Sequence, residues 1–150
     1  MNNEFRGNLD FEGTKRHILA GNSILTFRNS KTNNHLTFKV KKHKDKKLWF
    51  VSYLAGADNT NDFRYLGIID KDFKTKKFHF HLTKKSACGK DAIVYKGFKV
   101  IYNWLSENAG FPEDLEVYHE GVCGRCGRRL TVPESIESGF GPVCSTKIKG

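Results

Sequence analysis

Cys123-Gly124-Arg125-Cys126-Gly127 is a pair of thiols two residues apart with a glycine after each. A tight turn of that composition aims both sulfurs, and its own N–H groups, at a single cation. Seventeen residues separate Cys126 from Cys144, which closes Gly141-Pro142-Val143-Cys144; that interval suits the second half of a zinc ribbon or finger. Three thiolates leave one corner of a tetrahedron, and His119, just upstream, is the nearest residue able to close it. A Cys₃His set has no open position and is structural. If His119 is instead solvated, water, Cys88 or a carboxylate such as Glu120 would take that corner, and water there would make the centre catalytic. Three clustered cysteines, in a chain whose first residues do not read as a secretory leader, point to zinc rather than a disulfide framework.

Other constellations are weaker. His79 and His81 share one face of a strand and could hold a metal with a third partner, although alternating histidines are usually a polar outer face. Asp58, Asn59 and Asp62 form a polar cluster of the kind turns contain anyway. A small metal-dependent nuclease built on either group is one reading of the chain. Cys88 has no acid/base partner near it in sequence and reads as an idle thiol. No phosphate-binding loop, nucleophile elbow, dinucleotide fingerprint or HExxH motif is present, so the chain reads as a non-enzyme with no small-molecule substrate.

The formal charge is +10 over 150 residues, and it is concentrated. Residues 36–85 carry 13 Lys and Arg, nearly all lysine, against five acids. Lys41, Lys42, Lys44, Lys46 and Lys47 crowd one hairpin, and Lys76 and Lys77 another. Arg125, Arg128 and Arg129 ride on or beside the cysteine knuckle, where guanidinium groups can grip phosphates or pair with Glu134, Glu137 or the Glu113-Asp114-Glu116 patch. Such a field attracts polyanions, and lysine favours non-specific phosphate contact over base reading. The same lysines would also protect sheet edges from aggregation. No apolar run approaches the roughly 20 residues of a membrane helix, so no membrane partner is expected and a cytoplasmic location is.

The elements that would position these groups alternate in a regular way. Thr14–Ala20 suits a short helix capped by Thr14. Strand patterns follow at 24–28, 36–41, 48–54, 63–70 and 78–82, the simplest arrangement being an antiparallel meander. From Asp91, a cap candidate, Val94, Phe98, Ile101 and Leu105 recur at helical spacing to about residue 108. The expected fold is α+β: an antiparallel sheet of about five strands packed by one long helix, plus a small treble-clef-like zinc module at the C-terminus. The expected division is an arm and short helix at 1–22, a basic α+β domain at 23–112 and a zinc-binding module at 113–150.

The tail resembles a family of small phage and bacterial proteins of unknown function. The signature residues are Cys123-Gly124-Arg125-Cys126-Gly127-Arg128, Leu130-Thr131, Pro133-Glu134-Ser135-Ile136 and Gly139-x-Gly141-Pro142-x-Cys144. Softer similarity extends upstream through Trp49-Phe50-Val51-Ser52, Tyr65-Leu66-Gly67 and His119-Glu120-Gly121. The resemblance implies a zinc-binding fold and a phage or mobile-element origin, and implies no activity. With the charge, it leads to the expectation of a zinc-stabilised protein that associates with nucleic acid in the host cytoplasm. The alternative is a module that binds and modulates a host protein, such as a defence or nucleic-acid-processing enzyme.

Overall fold

Strict alternation of apolar and polar residues sorts most of this chain onto the two faces of one sheet. The computed structural model describes residues 8–56, 62–71, 74–120, 123–127 and 138–140. Its elements are β1 (Asn8–Leu9), α1 (Phe11–Ile18), β2 (Asn22–Asn29), β3 (His35–Lys42), β4 (Leu48–Leu54), β5 (Phe63–Lys71), β6 (Phe78–His81), α2 (Ile93–Ser106) and β7 (Leu115–His119). The strands form a single seven-stranded sheet in the order β1-β7-β2-β3-β4-β5-β6, every pair antiparallel.

The expected five strands under one long helix are therefore overturned. The sheet has two further strands, and it carries two short helices, α1 of 8 and α2 of 14 residues. One of the further strands, β7, alternates Leu115, Val117 and His119 with Glu116 and Tyr118, within the stretch expected to belong to the zinc-binding module. It pairs with β2 and admits β1 at the sheet's edge, rather than leading into a separate module. Asp10, not Thr14, caps α1: its Oδ1 accepts from the Gly13 N–H at 2.7 Å. Asp91 does not cap α2, which begins after Ala92 with no side-chain cap. The treble-clef-like layout expected beyond Gly127 lies almost wholly outside the described residues.

One face of the sheet is dry. Leu25 and Phe27 of β2, Phe38 and Val40 of β3, Trp49 and Val51 of β4, Ile69 of β5, Phe80 of β6 and Val117 of β7 are all buried. Phe98 of α2 seats its ring edge-on against Phe38 at 4.9 Å and Phe80 at 4.7 Å, geometries that add to plain area burial. A bulge where Val51 and Ser52 oppose Gly67 and Tyr65 leaves Leu66 over, and Leu66 is fully buried. Phe111 closes one end, meeting Phe11 of α1 at 4.9 Å and Trp104 of α2 at 6.2 Å.

Chain direction fixes what gathers at each end. The β3–β4 connection (43–47), residues 74–77 before β6 and the start of β2 all lie at one end of the sheet. The β2–β3 turn, the β4–β5 loop and the start of β7 lie at the other, about 25 Å away for eight-residue strands.

Candidate metal centre and basic end

The knuckle is built on the first residue of β2. Asn22 donates its backbone N–H to the Gly124 carbonyl and its side-chain amide to the Arg125 carbonyl, both at 2.7 Å. Gly127 closes the turn by donating to the Cys123 carbonyl at 2.9 Å, and its φ of 81° needs a glycine. Inside the turn the Arg125 and Cys126 N–H groups both point at Cys123 Sγ, at 3.4 Å each. Cys123 is buried and Cys126 exposed. Two amide donors converging on one sulfur are the outer support that a metal-bound thiolate accepts, so the knuckle's donor set and backbone fit a thiophilic cation such as zinc. Cys144 lies outside the described residues, as do Arg128 and Arg129.

Among the described residues no three His, Cys, Asp or Glu side chains gather closely enough to hold a metal. His119 ends β7 on the dry face, and its ring lies face to face with that of His17, with centroids 5.8 Å apart and planes 15° off parallel. The expected set of His119, Cys123, Cys126 and Cys144 includes Cys144, which lies outside the described residues; strand alternation turns the His119 imidazole inward, toward α1.

His17 is the residue that sequence reasoning missed. It lies on α1, wholly buried, with Nδ1 bonded to the Ser23 hydroxyl at 2.7 Å. Nε2 meets no hydrogen-bonding partner among the described residues. Burial foremost, and then the neighbouring His119 ring, push its pKa down to about 3. The Gly139 carbonyl pulls the other way without reaching bonding geometry, so the imidazole is neutral at ordinary pH. Two glycines make room for the ring. A Cβ on Gly124 would stand 2.5 Å from His17 Nε2, and one on Gly139 would stand 2.6 Å from Cδ2. The Gly124 N–H donates to the Gly139 carbonyl at 2.8 Å, and Phe140 packs on the same imidazole at 5.2 Å. Helix α1 thus forms the inner wall of the knuckle. The signal available in the sequence was indirect: glycine after the first cysteine, and glycine five residues before the third.

The basic residues fall around the same end. Lys41 lies in β3 on the face opposite α2, exposed. Lys42 spreads over the Trp49 ring at 6.0 Å and donates to the Lys46 carbonyl. Lys44, Lys46 and Lys47 occupy the hairpin tip, whose shape is held by His43 Nδ1 accepting from the Asp45 and Lys46 N–H groups. Lys76 and Lys77 occupy the next hairpin at the same end, Lys76 with a φ of 63°. Arg125 sits on the knuckle itself. The acidic patch is at the far end, where Glu116 pairs with Arg28 and Asp114 accepts from Asn29.

The candidate nuclease groups are scattered. Asp62 sits beside Gly56 at the far end, and Asp58 and Asn59 lie outside the described residues. His81 pairs with Asp70 at 2.9 Å, and His79 contacts Thr75. Cys88 packs against the core. No helix among the described residues is long and apolar enough to cross a membrane.

Residues 113–149 match a family of unknown function (DUF6011). The match spans about a quarter of the chain, so it shows that the tail is similar to this family and leaves all of the sheet but β7 outside it. No curated protein and no solved structure matches the chain.

Proposed function

We propose that this chain is a non-enzymatic, zinc-stabilised protein that associates with nucleic acid through the basic end of its sheet. The observation that carries the reading is the convergence there of two lysine-bearing hairpins and the arginine-bearing knuckle, with the Glu113-Asp114-Glu116 patch at the opposite end. Lysines on turns are compact point charges that follow a phosphate backbone without reading bases. Zinc held by Cys123, Cys126 and Cys144 fixes the knuckle, and with it the place of Arg125 relative to the hairpins. Its role is structural in the closed Cys₃His set that His119 would complete. The family resemblance supports an origin in phage or mobile elements, and with it action in the host cytoplasm.

Two measurements test this reading. Purified protein contains about one zinc per chain, and Cys123→Ser lowers that content sharply; full-length protein that never holds zinc sinks the metal. Affinity for nucleic acid falls with salt at a log–log slope of about −4 or steeper. Replacing Lys44, Lys46 and Lys47 together by Gln lessens that slope by about two to three. Absence of binding at low salt ends the nucleic-acid reading.

A further inference from the structure

The face of the sheet turned away from both helices is not an ordinary solvated face. Its cross-strand register runs Asn22, Lys41, Phe50, Ile68, His81 across β2 to β6. The adjacent row runs Ile24, Lys39, Ser52, Tyr65. Phe50 is 40% exposed. Its ring stands 6.4 Å from that of Tyr65 and 5.8 Å from that of His43, so three planar rings form a chain across the surface. Lys39 lies over the Phe63 ring at 5.7 Å, and Lys41 is the direct cross-strand neighbour of Phe50. Of the acids on this face, Asp70 is bonded to His81, Glu116 to Arg28 and Glu120 to the Thr26 hydroxyl.

Aromatic faces that stay in water between lysines present stacking surfaces and phosphate contacts together. That combination suits a polyanion whose bases are unpaired, because a duplex keeps its base faces stacked on one another. Four strand spacings give about 19 Å of track, room for a short run of nucleotides, and the track leads to the lysine hairpins at the basic end. We infer that the outer face binds single-stranded nucleic acid, with bases stacking on Phe50 and Tyr65 and the backbone held by Lys39 and Lys41. The inference rests on the nucleic-acid reading above and deepens it by naming the strandedness and the platform.

Fluorescence anisotropy with labelled oligothymidylate, oligouridylate and a duplex of equal length tests it on the full chain. Both single strands are expected to bind about tenfold or more tightly than the duplex. Phe50→Ala should weaken single-strand binding by about tenfold without changing the salt slope, and Phe50→Trp should restore it. Preference for oligouridylate would assign RNA and for oligothymidylate DNA, and either supports the platform. Equal binding of duplex and single strands, or a Phe50→Ala protein that binds like the wild type, overturns the platform and leaves the basic-end reading standing. No binding of any of the three overturns both. Sedimentation showing a dimer that Phe50→Ala dissolves, with no strand preference, assigns the face to a second copy and overturns the inference.

Discussion

Both faces of the sheet carry aromatic rings, and they are used in opposite ways. On the inner face Phe38, Phe80 and Phe98 pack edge to face at under 5 Å, each no more than 1% exposed. On the outer face Phe50, Tyr65 and Phe63 are spaced farther apart, partly wet, and accompanied by lysine. What separates the two sets is helical cover. α1 and α2 both lie on the inner side, so a ring there gains burial and close packing, while a ring on the other side keeps a free π-face. An aromatic residue in a strand is therefore evidence of a face, and its neighbours decide whether that face is core or surface.

The contrast is sharpest in stability. Phe98→Ala should cost about 3–5 kcal/mol, a fall of about 10 °C in melting temperature, because three rings lose their common contact. A fall of only a degree or two would mean that α2 is loosely docked. At the knuckle, Gly124→Ala drives a methyl into the His17 ring and should cost about 1–3 kcal/mol and reduce zinc content. His17→Ala in the same chain should relieve most of that loss. A double variant no better than Gly124→Ala alone would separate the helix from the knuckle.

The buried imidazole of His17 makes stability depend on pH. Its folded pKa, near 3, lies below the ordinary 6.5. Above pH 6.5 neither state is protonated there, and the full stability is present. As pH falls from 6.5 toward 3 the unfolded chain gains a proton that the folded one refuses, so stability drops by about 1 kcal/mol per pH unit. Urea midpoints from pH 7.5 to 5 should show this slope, and His17→Gln should lessen it by one proton; identical slopes would place His17 in solvent. The smallest effect belongs to the outer face. Phe50→Ala should change stability by less than about 1 kcal/mol while weakening single-strand binding, and a large stability loss would make Phe50 part of the core.

The strands at 22–29, 35–42, 48–54, 63–71 and 78–81 were legible because alternation with a period of two writes the buried face directly into residue order. β7 carried the same signature in Leu115, Val117 and His119, but its nearness to the cysteine motif placed it in the zinc-binding module expected at 113–150. β1, of two residues, is too short to show any period. The knuckle was legible from Cys123 and Cys126, whose spacing alone shapes the turn. His17 was not, because a lone histidine in a short amphipathic helix resembles any surface residue until the partners that bury it are known.

By itself the residue order determined the cysteine turn, the lysine-rich hairpins and most of the strands, since each depends on neighbours a few positions apart. Only the tertiary structure decided that β7 enters the sheet beside β2, that His119 faces His17, and that Phe50 and Tyr65 remain uncovered. Those outcomes join residues dozens of positions apart, and they follow from which surfaces the two helices cover rather than from any local preference of the chain.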